Sequence, residues 1–240
     1  MSSMRVIWAA VAAAVIASSA TGCSSSSKGR GTTGTTPATN SSTSSTPSTS
    51  TSSSSAAGGL DATTAQARLL TPAEVGTGFT AGTYTPTTKP EPCDPAGTPP
   101  LDTRIPPQVA VGVEADNASP QAVFEEQITS YSDAATATRA LATGEQGFGC
   151  TAGTVYYTDG TKASVTISAK QDISTEVGMP VDAAVTWSLS NSDLQGALVV
   201  VRIGQVIIAL TFSSPAGADT AKLPDVQTVT KLALAKVQNG

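Results

Sequence analysis

Residues 197–212 read ALVVVRIGQVIIALTF. Two nearly continuous apolar runs, 197–203 and 206–212, flank Gly204-Gln205. A strand with one solvated face alternates apolar and polar residues, because successive side chains point to opposite sides. These runs do not alternate, so both faces of each strand are expected to be covered, in the middle of a sheet. Gly204-Gln205 supplies a tight turn that makes the pair antiparallel. Arg202 is a charge inside the first run, and a buried guanidinium needs a partner or a groove to face. A structural ion pair is the simpler account of Arg202; contact with an anionic ligand is the functional one.

The flanking sequence extends the same sheet. Val181, Ala183, Val185, Trp187 and Leu189 alternate with polar or small residues. Residues 155–158 and 162–169 face each other across Asp159-Gly160, a strong hairpin signal. Val109, Val111, Val113 and Ala115 alternate as in a half-buried strand, and 121–131 (QAVFEEQITSY) read as another, with Phe124 and Ile128 on one face. Ser132 or Asp133 caps a helix from Ala134 to about Glu145. Pro224 opens a last helix to about Val237, with Val226, Val229, Ala233 and Val237 along one stripe. At the front, a helix over Asp61–Leu70 precedes Thr71-Pro72-Ala73-Glu74, a capping box with proline at the first helical position. Residues 80–107 are rich in Pro, Thr and Gly and read as a long loop. Strand runs with segregated helices give an α+β domain, an antiparallel sheet flanked by helices.

Composition excludes several chemistries. The 240 residues contain no histidine and three cysteines, so neither a Ser-His-Asp nor a Cys-His relay can form. Histidine-containing metal sites and four-thiolate sites are excluded with them, and no metal or cofactor is expected. Net charge is −5, with no basic run, which argues against nucleic acid as a partner. Gly76-Thr77-Gly78 is no phosphate loop, since neither a preceding strand nor a following GK[ST] accompanies it.

The N-terminus gives an address. Arg5 precedes an apolar stretch, Val6 to Ala20, too short for a spanning helix but suited to a signal peptide. It ends in Ala20-Thr21-Gly22-Cys23, which resembles the bacterial lipobox, with Ala20 where leucine is commonest. That resemblance implies removal of residues 1–22, diacylation of Cys23 and a membrane anchor without a spanning segment. Residues 24–59 hold 23 Ser or Thr among 36, the rest being Gly, Pro, Ala, one Asn and the charges Lys28 and Arg30, with no apolar residue larger than alanine apart from two prolines. Such a stretch is expected to be a disordered tether. All 18 acids lie from residue 60 onward against 10 bases, so the domain, 60–240, carries −8.

Cys93 and Cys150 are the cysteines that remain. Outside the cytoplasm such a pair reads as a disulfide; two free thiols are the alternative. Glu125 and Glu126 are adjacent on a strand, so they point to opposite faces and cannot share a catalytic site; one solvated and one bonded is expected. Tyr131, Phe148, Tyr156, Tyr157 and Trp187 are core residues or the lining of an apolar ligand groove, Trp187 leaning to core.

Arg68-Leu69-Leu70-Thr71-Pro72-Ala73-Glu74-Val75, Glu125-Glu126-Gln127-Ile128-Thr129-Ser130-Tyr131, Ser132-Asp133-Ala134-Ala135 and the closing helix around Leu232 to Val237 together resemble the PknH-like sensor domain family of actinobacterial cell surfaces. The resemblance implies an antiparallel sheet flanked by helices, a groove, and a binding or sensing role without enzymatic activity. The kinase sensor domain of that family looks like a two-disulfide structure, whereas Cys93 and Cys150 allow one bond, and these 240 residues hold no kinase domain, so a signalling role does not carry over. The expected function is a membrane-anchored envelope lipoprotein whose domain binds an extracytoplasmic ligand or partner. A lipid or glycolipid carrier would need a cavity of order 1,000 Å³. A carboxylate-only hydrolase would need two acids about 5–10 Å apart across a cleft.

Overall fold

The computed structural model describes residues 6–7, 59–157, 160–219 and 223–239. The 197–212 stretch forms a hairpin of β9 (Leu194–Ile203) and β10 (Val206–Pro215), in register from Val206–Ile203 to Pro215–Leu194. Gly204 takes a positive φ of 58° in its turn. The remaining strands are β1 (Val6–Ile7), β2 (Phe79–Ala81), β3 (Val109–Asn117), β4 (Ala122–Ser130), β5 (Ala152–Tyr157), β6 (Lys162–Ile167), β7 (Gln171–Asp172) and β8 (Ala183–Ser190). They make one antiparallel sheet in the order β1-β5-β6-β8-β9-β10-β4-β3-β2, with β7 pairing β8 beside that path. The helices are α1 (Ala62–Arg68), α2 (Pro72–Val75), α3 (Leu101–Arg104), α4 (Ala134–Gly147) and α5 (Val226–Asn239).

β9 and β10 lie at the centre, and both their faces are buried. Val199, Val201, Ile208 and Leu210 meet the side covered by α1, α2 and α5, where Val229, Ala233 and Val237 pack. Leu198, Val200, Ile207 and Ala209 meet the opposite side, with Ala137, Ala140 and Leu141 of α4, and with Leu101 and Ile105. On the second side the segment 82–107 crosses the sheet; we call it the strap. The sheet is thus sandwiched between two apolar cores rather than open to water on one side.

Several boundaries differ from the sequence expectation. α1 stops at Arg68 because Leu69 is extended (ψ 149°), which turns the chain into the α2 capping box. α5 begins after Asp225, whose carboxylate accepts from the Thr228 N–H at 2.9 Å, so Pro224 precedes the cap. The stretch read as loop holds β2 and α3, both too short to carry a periodic signal. β7, two residues long, was equally invisible to periodicity. The signal peptide, Cys23 and the tether lie outside the described residues, apart from Val6–Ile7 and Gly59.

Candidate functional site

Alternation along β8 builds a groove. Val185, Trp187 and Leu189 pack against the α4 side, which leaves Ser188 and Ser190 on the α5 side. Beyond the start of α5 this hydroxyl-bearing strip is not covered. It floors a groove of about 320 Å³, walled by Phe79, Phe212, Leu223 and Val226 and floored also by Ala197. Gln195 Nε2 donates to Ser214 Oγ at 3.3 Å within it. Every described lining residue is uncharged.

A second cavity of about 260 Å³ lies on the other side of Val226, lined by Ile173, Glu176, Thr186, Val199, Asp225 and Thr230. Asp225 and Thr230 are engaged in the cap and first turn of α5, and Thr186 Oγ1 donates to the Leu198 carbonyl of β9 at 3.0 Å. Thr228 holds the Asp225 carboxyl below the usual carboxylate range through side-chain and backbone hydrogen bonds. Thr230 Oγ1 donates to the Val226 carbonyl at 2.7 Å. This arrangement offers no acid poised for proton transfer at Asp225.

The strap face carries three acids that burial raises strongly, Glu126 on the opposite side being a fourth. Cys93 and Cys150 form a disulfide, with Cα atoms 5.7 Å apart, pinning the strap to the end of α4. The Cys93 N–H donates to the Gly147 carbonyl at 2.9 Å, and the Thr154 N–H of β5 donates to the Pro92 carbonyl at 2.8 Å. Arg104 pairs with Glu91 and, at 2.6 Å, with Asp94. Burial pushes Asp102 up to about 8, Glu125 to about 8 and Glu91 to about 7. Among the described residues no group of His, Cys, Asp or Glu is arranged to hold a metal ion.

Glu125 and Glu126 do face opposite sides, but neither is solvated: they are 8% and 0% exposed. The expectation of one solvated carboxylate is corrected because both faces of β4 are covered, one by the strap and one by α1. Trp187 and Tyr157, candidates for a ligand groove, are 2% and 3% exposed and belong to the α4-side core, where Trp187 packs against Phe148 at 5.4 Å between ring centroids. Tyr156 is half-buried, with Lys89 Nζ 5.8 Å from its ring centre. Arg202 Nη1 donates to Asp182 Oδ2 and to the Gly204 carbonyl, both at 3.1 Å. The groove instead takes its aromatic walls from Phe79 and Phe212. The polar half of the β8 alternation was the signal for this groove, but it equally fits a face open to solvent.

Three of the stretches that carry the family resemblance meet in space. Arg68 donates to the Val237 carbonyl, Leu70 N–H donates to Glu126 Oε2 at 2.6 Å, and Lys236 Nζ donates to the Leu69 carbonyl at 2.7 Å and to Glu74 Oε2 at 2.9 Å. These residues, distant in sequence, form a structural corner joining α1, α2, α5 and β4.

No family model and no curated protein matches the chain. Among solved structures, the crystal structure of the extracellular domain of PknH from Mycobacterium tuberculosis is similar, with a TM-score of 0.56 at 10% identity. The match covers 77% of this chain and all of that one. At this identity the likeness is one of fold: the chain shares the helix-flanked antiparallel sheet of an extracellular domain.

Proposed function

We propose that the protein is a non-catalytic lipoprotein, anchored through Cys23 to the extracytoplasmic face of the cell membrane, whose domain binds a small uncharged ligand. The observation that carries this reading is the groove of about 320 Å³ with its uncharged described lining. That volume lies at the lower end of the range for small-molecule pockets and below what an enclosed lipid needs. Aromatic and aliphatic walls around serine hydroxyls suit a compact amphipathic molecule. The extracellular nature of the similar fold and the lipobox resemblance support the location. Among the described residues no helix is long and apolar enough to cross a membrane. Cleavage ahead of Cys23 would remove Val6–Ile7 and leave β5 at the sheet edge, where Pro92 of the strap already occupies part of its ladder.

Native mass spectrometry of protein purified from host membranes tests both parts. The expected species carries a diacylated Cys23 and a bound neutral molecule, and Ala197→Trp, which fills the groove, loses the bound mass. An unmodified secreted chain overturns the anchor. A bound mass unaffected by Ala197→Trp overturns the groove as its site, and a bound two-chain lipid favours a carrier.

A further inference from the structure

The strap covers a row of buried polar groups, several of which have no hydrogen-bond partner among the described residues. In the sheet register Glu125 stands between Glu114 of β3 and Thr211 of β10, and Gln127 stands between Gly112 and Ala209. The Tyr84 ring of the strap lies over Gly112, where a Cβ would have no room. Glu125 and Asp102 are each 8% exposed, and Gln127, Tyr131 and Thr211 are 1% or less. Among the described residues, both carboxyl oxygens of Asp102, both amide atoms of Gln127 and the hydroxyl of Thr211 have no hydrogen-bond partner. Buried polar groups are normally paired, so this set marks a face that depends on the protonation and packing of its cover.

The nearby charges do not neutralise it. Glu114 and Asp116 flank Glu125 from β3, and Glu91 adds to the negative field at Asp102. Arg104 is held by Glu91 and Asp94, and Lys89 lies over Tyr156. From α4, Arg139 is exposed, while Glu145 is paired with Lys170 at 2.8 Å. Arg202 of β9 is engaged by Asp182. The phenols of Tyr84 and Tyr131 are themselves pushed up by burial and by these carboxyls, so they stay neutral.

We propose that the strap is a pH latch: docked over β3, β4 and β10 while Asp102 and Glu125 carry protons, and released from that face as they ionise. The Cys93–Cys150 disulfide keeps the released strap tethered to the end of α4, and the Arg104 pairs with Glu91 and Asp94 hold the strap's own shape. Burial places both acids at about 8, above the usual carboxylate range. A group with a raised folded value contributes stability that is fully present below about pH 4 and lost as pH rises through that folded value. For a value near 8, each group makes opening about tenfold more favourable between pH 7 and pH 9.

Hydrogen exchange on the intact protein, corrected for the intrinsic pH dependence of exchange, reads this directly. Protection of the strap amides between 83 and 105 is expected to fall about tenfold or more from pH 7 to pH 9 relative to β9 and β10. Asp102→Asn with Glu125→Gln keeps the shapes and removes the charges, so strap protection should become flat with pH. A flat wild-type profile overturns the latch, as does an unchanged slope in the double variant or an equal loss across the whole sheet. If the double variant fails to fold, Asp102→Asn alone decides: a reduced slope supports the latch and an unchanged slope overturns it.

Discussion

The backbone N–H of Leu70 donates to Oε2 of Glu126 at 2.6 Å, across 56 residues of sequence. Glu126 is fully buried, and this bond fixes the turn between α1 and α2 against the sheet. Glu126→Ala leaves the Leu70 N–H without a partner and opens a cavity, an expected loss of about 2–4 kcal/mol. Glu126→Gln keeps an acceptor oxygen and should cost less than half as much. Urea denaturation of the three proteins checks the ratio; equal losses would show that volume, not the hydrogen bond, holds the corner.

The same carboxyl has a pH signature. Burial pushes Glu126 up to about 7, opposed by the Leu70 hydrogen bond and by Lys236. Its folded value is raised, so its contribution is fully present below about pH 4.5 and is lost as the pH rises through 7. Wild-type stability is therefore expected to decline between pH 5 and pH 8 by more than that of Glu126→Gln. Matching pH profiles for the two would remove Glu126 from the account. Glu126 lies on the α5 side, so this loss should weaken the corner without singling out the strap.

The Cys93–Cys150 disulfide closes a separation of 57 residues that includes most of the strap, β3, β4 and α4. In the chain-entropy model its removal by Cys93→Ser with Cys150→Ser costs about 4 kcal/mol. The strap should become the first site of proteolysis, since its other ties are few. Limited proteolysis with peptide mapping checks this, and initial cleavage in the β9–β10 hairpin would contradict it.

The difference between these regions explains what could be read from sequence. β9 and β10 announce themselves because covering both faces of a strand demands unbroken apolar runs, visible locally at 197–212. The α2 cap was equally legible, because Thr71 N–H donates to Glu74 Oε2 at 2.7 Å within four residues. The strap is different: no period marks residues 82–107, and their place is set by distant partners such as Gly112, Gly147 and Cys150. The burial of Glu125 follows from that cover, so the local rule that one of two adjacent strand carboxylates meets water failed. The groove was half legible. Ser188 and Ser190 were visible as the polar side of an alternating strand, but only the stopping point of α5 makes that side concave.

Arg202 offers a discriminating substitution. Its guanidinium bonds Asp182, which is about half exposed, and the Gly204 carbonyl. A pair with one solvated partner contributes modestly, so Arg202→Met, which preserves the stem, should change stability by about 1 kcal/mol or less. Because Arg202 points to the α4 side, away from the uncharged groove, ligand capture should be unchanged. Loss of the bound molecule in Arg202→Met by native mass spectrometry would move the site to this end of β9 and make the ligand anionic.

Trp187 supplies an intrinsic probe of the core. The sequence has two tryptophans, Trp8 and Trp187, and the proposed cleavage ahead of Cys23 would leave Trp187 alone. Trp187 is 2% exposed and packs against Phe148, Leu198 and Val200 near a small void beside α4. Emission of the mature protein should therefore be shifted to shorter wavelength than that of free tryptophan, resist quenching by iodide, and move to longer wavelength on unfolding. Trp187→Ala should cost about 3–5 kcal/mol through the cavity it leaves. Ligand in the groove on the opposite side of the sheet should leave the emission unmoved. A shift on ligand addition at constant stability would place Trp187 in contact with a bound molecule after all.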